Sequence, residues 1–547
     1  MSRRAAGDGG SVDLERWERR LFAVAVAVAI APFWVTRWTP LMDGPIHLYV
    51  LEVLRSFVID GAASPYRGVF ELNAWPEPNL GFYLLGLPLS LVLPLPVVEK
   101  LVLSLAVGLF CVGGASLLRG LGGQPWAFAT LLVPLSTHLF VHQGFHNSVL
   151  GIAVALVSLA LAVRHPPAWR WRRLLAYAAG SVGLFTVHVM ALATFGLALG
   201  WYLVGAAAAR WLRERRLGAA LRDVMSRGTA LAVSAVPALA LTVSFLLRHG
   251  GTAATTSDDS LRARVADVVW LTWLTGYSTV ELLWLAPFVL TVAMLAIVAA
   301  FRLRGAERAA VARLVPSVTV TIGLAMVVLA GIGNARDVGV ADRLTVVVAV
   351  AALGVIAAGW LGPSARRVAL ALALTVTAVD AAHRVFQYHR HSAALDAYVA
   401  LTQGLAPGSA LLGVALDEGS MAWPTPALER PTYPLRHAAA LAAIERRGPY
   451  LGATLLSRGR FGYFPIVYVP DADPFPRIGA HESVPPRLDL AAYEATGGLR
   501  LDAVILIGDA DDAVTLAYLA DAEPWHSDFE LAARDPRYRL HLLTRRD

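Results

Sequence analysis

The stretch RWRRLLAYAAGSVGLFTVHVMALATFGLALGWYLVGAAAARWLRERR, residues 170–216, decides the fold. Between its arginine-rich ends, residues 174–209 form a run of 36 with no acidic or basic side chain except His188. A helical crossing of a bilayer takes about 20 apolar residues. The run is therefore too long for one crossing and sufficient for two short ones. Arginine-rich loops mark the cytoplasmic side of a membrane protein. With both ends inside, the run goes out and back, and His188 falls near the outer turn.

The pattern extends in both directions. Leu101–Leu118, Asn147–Val163, Thr229–Leu247, Leu282–Phe301 and Leu344–Leu361 contain no Asp, Glu, Lys or Arg. Between them lie clusters of arginine: Arg164, Arg170, Arg172 and Arg173; Arg210 to Arg227; Arg302 to Arg313; and Arg366–Arg367. The 547 residues are 56% hydrophobic and 16% charged, against about 25% charged in soluble domains. The formal charge of +7 is spread over short inter-span segments. That is loop chemistry and not a nucleic-acid surface, so no nucleic-acid partner is expected. Cys111 is the one cysteine, which excludes a disulfide within the chain. The N-terminus shows no signal-peptide cleavage pattern, and Leu21–Thr39 is long enough to remain as a span.

Arg3, Arg4, Arg16, Arg19 and Arg20 place the N-terminus inside. Segments 248–267 and 332–343 then lie outside, and a last span at about 368–383 exports the remainder. Three apolar stretches, 21–39, 80–97 and 101–118, give the wrong parity if Arg119 is inside. The middle one, LGFYLLGLPLSLVLPLPVV, carries three prolines and reads as re-entrant or partial. The alternative puts Arg119 outside. The expectation is a polytopic α-helical membrane protein of about 11–13 spans. It has a cytoplasmic tail (1–20), a transmembrane part (21–383) with a long first outer loop (40–79), and an outer α/β domain (384–547).

That last domain rests on a change of composition. SALLGVAL (409–416), FPIVYV (464–469), AVILIG (503–508) and YRLHLL (538–543) read as short buried strands. PLRHAAALAAIERRG and DDAVTLAYLADA read as helices between them. AVILIGDADDA lacks the glycine-rich turn of a phosphate-binding loop, so a folded outer cap is the preferred reading over a nucleotide site.

Polar groups converge on the outer side. PLMDGPIHLY (40–49) puts Asp43 and His47 just beyond the first span. Behind them, GPIHLYVLEVLRSFV has apolar residues at helical spacing and is expected to lie on the membrane surface. Asp43 precedes Pro45, as an N-cap does, so capping competes with a functional role. Asp43 and His47, four residues apart, share a helix face and form half of a metal site, too few ligands to claim one. His146 and Asn147 stand at the top of a span, His188 at the turn of the helix pair, and Glu77 in the first loop. Arg336, Asp337, Asp342 and Arg343 occupy another outer turn. Ionisable groups at membrane depth tend to mark functional cavities.

This layout resembles the GT-C class of integral-membrane glycosyltransferases. The resemblance rests on Asp43 in LMDGPIHLY, the following apolar-periodic segment, WPEPNLGFY leading back into the membrane, and the exported tail. It covers most of the chain by architecture, while its motif is one acidic position. Many members carry paired acids there, where this chain has DGP. The resemblance implies a bacterial cytoplasmic-membrane enzyme that takes sugar from a polyprenyl-phosphate carrier to a lipid, glycan or protein acceptor outside. It implies Asp43 as general base, with His47 beside it. Arg336 and Arg343 are then candidates to hold the phosphate, His188 or His146 is a donor, and Asn147, Glu77, Asp337 and Asp342 line the site. Divalent-metal dependence is left open. Two rival classes compete: a transporter or lipid flippase, and a non-catalytic envelope protein whose outer domain binds a partner. Against the first stand the lack of a repeat between halves and the placement of charges at one surface.

Overall fold

The computed structural model describes residues 8–122, 126–249, 260–302, 308–331, 340–359, 361–416, 421, 432–459, 462–475, 477–478, 486, 488–508 and 528–546. Helices α1 (Asp8–Ile30), α2 (Gly44–Ile59), α3 (Gly81–Ser90) and α4 (Leu95–Gly122) come first. The short α5 (Trp126–Ala129) and α6 (Leu139–His142) precede α7 (His146–Arg164), α8 (Trp171–Val187), α9 (Val189–Glu214) and α10 (Leu217–His249). Then follow α11 (Leu261–Val269), α12 (Leu282–Phe301), α13 (Arg308–Ala330), α14 (Val340–Ala358) and α15 (Pro363–Leu401). The C-terminal part adds α16 (Ala439–Arg446) and α17 (Leu490–Ala495).

Seven helices among the described residues are long and apolar enough to cross a membrane. The chain is an integral membrane protein, and the broader span count expected from sequence draws also on shorter or broken apolar helices, Trp126–His142 among them. Residues 170–216 form the expected pair, α8 and α9, separated only by His188. His188 adopts an extended conformation, and its Nδ1 accepts from the Met190 amide at 3.1 Å, which caps α9. The proline-bearing stretch becomes α3, ten residues long. At 1.5 Å per residue it spans about 15 Å, half the hydrocarbon thickness. Arg119 and Arg19 both lie over the ring of Trp126, at 4.7 and 5.8 Å. The end of α4 and the start of α1 therefore share one side, which answers the parity question in favour of a partial α3.

The last apolar helix does not stop near 383. It continues without a break to Leu401. Beyond it, β2 (Leu411–Ala415), β4 (Ala503–Ile507), β6 (Leu540–Arg545) and β5 (Phe529–Asp535) form one sheet in that order. The β2–β4 pair is parallel and the other pairs are antiparallel. Sequence FELAARD at β5 alternates too weakly to read as a strand, because most of its side chains are outward. The helix expected over 511–522 lies outside the described residues.

Strand β3 (Ile466–Tyr468) leaves this sheet and pairs antiparallel with β1 (Phe70–Leu72) of the first loop. Asn73 donates from its side-chain amide to the carbonyls of Gly462 and Phe464 at 2.8 and 3.1 Å. Tyr49 of α2 accepts from the Tyr450 amide at 2.8 Å. The first loop and the C-terminal part are thus one packed body.

That packing corrects the reading of α2 as a helix lying on the membrane surface. Nearly all of α2 is buried, including its polar residues His47, Glu52 and Ser56. It is held between α3, α4 and the C-terminal part, in the same core cluster as the sheet. A helix apolar on one face and surrounded on all sides needs buried polar partners; His47 finds Tyr83, Ser56 finds Asp60 and Ser64, and Glu52 lies between Arg55 and Arg447.

The approach of residues 40–43 to the α6–α7 turn depends on Gly144. Its φ is +72°, and a Cβ there would sit 2.5 Å from the Gly44 nitrogen. Both the backbone conformation and the space require glycine. Gly144→Ala is expected to destabilise the protein by about 2 kcal/mol or more, read as a lowered thermal midpoint in detergent; an unchanged midpoint would contradict the close contact.

Candidate functional site

The chain enters α2 through a segment with few partners of its own. The amides of Met42 and Asp43 donate to the carbonyls of His142 and Gln143 at 3.2 and 3.0 Å. Tyr277 donates its hydroxyl to the Pro40 carbonyl at 2.8 Å. These bonds fix the backbone leading into Asp43. Asp43 stands at the N-cap position of α2, and its carboxylate makes no capping hydrogen bond. The capping role expected as the alternative is therefore not performed, and the carboxylate is left to face a cavity.

The cavity, about 190 Å³, is lined on the membrane side by Asp43, His47, Asn79, Asn147, Ser148, His188 and Arg343. Its other wall comes from the C-terminal part: Arg436, His437, Thr454, Tyr463 and Phe464. His437 Nε2 lies 3.6 Å from Asp43 Oδ1, and the Asp43 side chain keeps 14% of its surface exposed. Burial pushes the Asp43 carboxyl up, to about 6, while the charges of Arg436 and His146 pull it partly back. A carboxylate with its proton affinity raised into this range is a stronger base than an exposed one and is still mostly ionised near neutrality.

His47 is packed rather than open. Its Nδ1 is 2.6 Å from the Tyr83 hydroxyl, and its ring contacts Phe82, His146 and Phe464. Burial, and then the neighbouring His146, hold its pKa well below the usual histidine value, so the ring is neutral. His188 presents a different face. Because Nδ1 accepts from Met190, the neutral ring carries its proton on Nε2 and is a donor. Arg343 at the start of α14 lies 5.4 and 5.5 Å over the rings of Phe140 and Phe145.

Other expected residues sit elsewhere. His146 turns away from the cavity and bonds Glu99 Oε1 at 3.0 Å, both side chains being buried. Glu77 pairs with Arg248, and with His249 at 3.2 Å, so it ties the first loop to the end of α10. The side-chain oxygen of Asn147 accepts from the Phe82 amide at 2.7 Å, which anchors the start of α3 at the cavity wall. Arg336 and Asp337 lie outside the described residues. Asp342 belongs to the first turn of α14.

Sequence reading missed Glu99, Arg436 and His437. VVEKL is a charged pair in an apolar run, a signal of a buried functional or structural ion. PLRHAAAL had been read only as a helix of a distant cap. It also missed the ion pair on the last span, α15: Asp380 and Arg384 pair inside the bundle, and Arg384 reaches Thr137 Oγ1 at 2.7 Å. Among the described residues no group of three or more His, Cys, Asp or Glu is placed to hold a metal ion.

The architecture, a helical membrane part carrying a small strand-containing C-terminal domain, is shared with solved membrane proteins. Two crystal structures of ArnT from Cupriavidus metallidurans, one in the apo state and one bound to undecaprenyl phosphate, are similar to it. Each has a TM-score of 0.51 and 16% identity, over 96% of this chain and 97% of the other. The cryo-electron-microscopy structure of the arabinofuranosyltransferase AftD from Mycobacteria is similar at a TM-score of 0.42 and 15% identity, over 96% of this chain and 40% of that one. No family model matches the chain, and no curated protein matches it.

The electrostatics can be checked without substrate. A carboxyl band in infrared difference spectra should titrate at about pH 6 and vanish in Asp43→Asn. Arg436→Gln removes a charge that favours the ionised form, so the titration should move to higher pH. A band that stays in place would remove Arg436 from the surroundings of Asp43.

Proposed function

We propose that the protein transfers a sugar from a polyprenyl-phosphate carrier to an acceptor outside the cytoplasm, with Asp43 as general base. The observation that carries this reading is Asp43 itself: a carboxylate at a helix start that caps nothing, opens on a cavity, and is more basic than usual. The GT-C architecture supports the reaction class, and the carrier follows from the undecaprenyl phosphate bound by one of the ArnT structures.

The step balances as a single displacement. The acceptor hydroxyl attacks the anomeric carbon, and Asp43 takes its proton. The bond from that carbon to the carrier's phosphate oxygen breaks, and the electron pair leaves with the polyprenyl phosphate. Arg343 and Arg436 face the cavity from opposite walls and neutralise that phosphate. His188 donates from Nε2 to a phosphate or sugar oxygen. His47, neutral and held by Tyr83, packs beside Asp43 and keeps water and mobile charge from it. One base and direct attack invert the sugar's configuration. The acceptor is a lipid, glycan or protein, and the protein belongs in the bacterial cytoplasmic membrane with its C-terminal part outside.

Native mass spectrometry of the purified protein is expected to retain a polyprenyl phosphate, free or sugar-loaded. Asp43→Asn should keep that lipid and lose turnover by about 100-fold or more. Transfer by the unaltered enzyme should fall as pH drops through about 6, since Asp43 is then protonated. Arg343→Gln and Arg436→Gln should each weaken carrier binding by about tenfold or more, the worth of a hydrogen bond to a charged group. Full transfer by Asp43→Asn would overturn the base assignment; no carrier bound, even in excess, would overturn the reaction class.

A further inference from the structure

A second cavity lies on the same helices that build the first, with its mouth at their other end. Helix α7 begins at the Asp43 cavity with Asn147 and Ser148 and ends at Arg164. Helix α8 returns from Trp171 to His188, again at that cavity. Nineteen residues of α7 at 1.5 Å each cover about 28 Å, close to the hydrocarbon thickness of a bilayer. Arg164, Arg172 and Arg173 therefore stand at the opposite membrane surface from Asp43.

Between α7, α8 and α9 runs a groove of about 360 Å³. Its walls are mostly apolar, with Leu161, Ala176, Leu184 and Phe195 among them, and Arg172, Arg173 and His165 stand at its mouth. From Arg172 to Leu184 the groove extends for twelve residues of α8, about 18 Å, slightly more than half the hydrocarbon core. At Gly180 a Cβ would meet nothing within 4 Å, so the missing side chain leaves the groove open along its length. The mouth is built: Arg173 donates to the Pro166 carbonyl at 2.7 Å and Tyr177 to the His165 carbonyl at 2.9 Å. Arg172 lies at 5.3 Å over the exposed ring of Trp171, and Trp169 is exposed beside it. No acidic residue occurs between Glu99 and Glu214 in the sequence, and Arg172 makes no ion pair among the described residues.

We infer that this groove holds an anionic phospholipid of the leaflet remote from Asp43, with one acyl chain along α8 and its phosphate on Arg172. Charge complementarity selects this occupant. An apolar channel of one leaflet's depth fits an acyl chain, a guanidinium without a carboxylate partner fits a phosphate, and flanking tryptophans fit the interface. The site is independent of the sugar-transfer reading, since it shares no residue with the Asp43 cavity.

The test uses the full-length protein in mixed nanodiscs of palmitoyl-oleoyl phosphatidylglycerol and phosphatidylcholine, released for native mass spectrometry. The unaltered protein should retain phosphatidylglycerol over phosphatidylcholine by about fivefold, the effect of one well-placed arginine. Arg172→Gln should abolish the preference. Gly180→Leu, which fills open space and suits a helix interior, should abolish the retained adduct with no drop in thermal midpoint. Arg222→Gln, an exposed arginine on α10 that does not line the groove, should change neither. Equal retention of the two lipids, or an equal loss in Arg222→Gln, would overturn the inference. Should Gly180→Leu misfold, the comparison of Arg172→Gln with Arg222→Gln decides alone.

Discussion

Two backbone hydrogen bonds, from Met42 and Asp43 to the carbonyls of His142 and Gln143, are the contact on which the rest of the site depends. They join the chain leaving the first helix to a turn a hundred residues later. At this depth an unpaired amide is expensive, so each segment needs the other. The contact is so close that only glycine fits at 144. The Asp43 carboxylate, beside it, caps no amide of α2 and stands at a cavity wall.

The C-terminal part completes what that contact begins. It is tied to the first loop through β1–β3 pairing and to α2 through the Tyr49 hydroxyl. Once α2 is enclosed, Arg436 and His437, immediately before α16, come opposite Asp43. Burial raises the proton affinity of Asp43 while Arg436 limits the rise. The opposing effects leave a carboxylate that is both ionised and basic near neutral pH. A domain that reads as a lid from sequence is thus half of the cavity wall.

The membrane part was legible because lipid imposes length and polarity rules on each span separately. The arginine loops and the charge-free runs could be read residue by residue, and so could the break at His188 between α8 and α9. The outer side could be assembled from these rules, and Asp43, His47, Asn147, His188 and Arg343 do meet at one cavity. His146 and Glu77 face elsewhere because each found a charged partner, Glu99 or Arg248, that no local pattern announces. The apolar spacing of α2 indicated one buried face and could not show that the opposite face would be covered too.

The sequence by itself determined which segments are long and apolar enough to enter the membrane and which polar turns join them, because hydropathy acts locally along the chain. Only the tertiary structure decided which of those turns touch. That choice rests on single steric and electrostatic facts between distant segments: the missing side chain at Gly144, the pairing of β1 with β3, and the approach of Arg436 and His437 to Asp43.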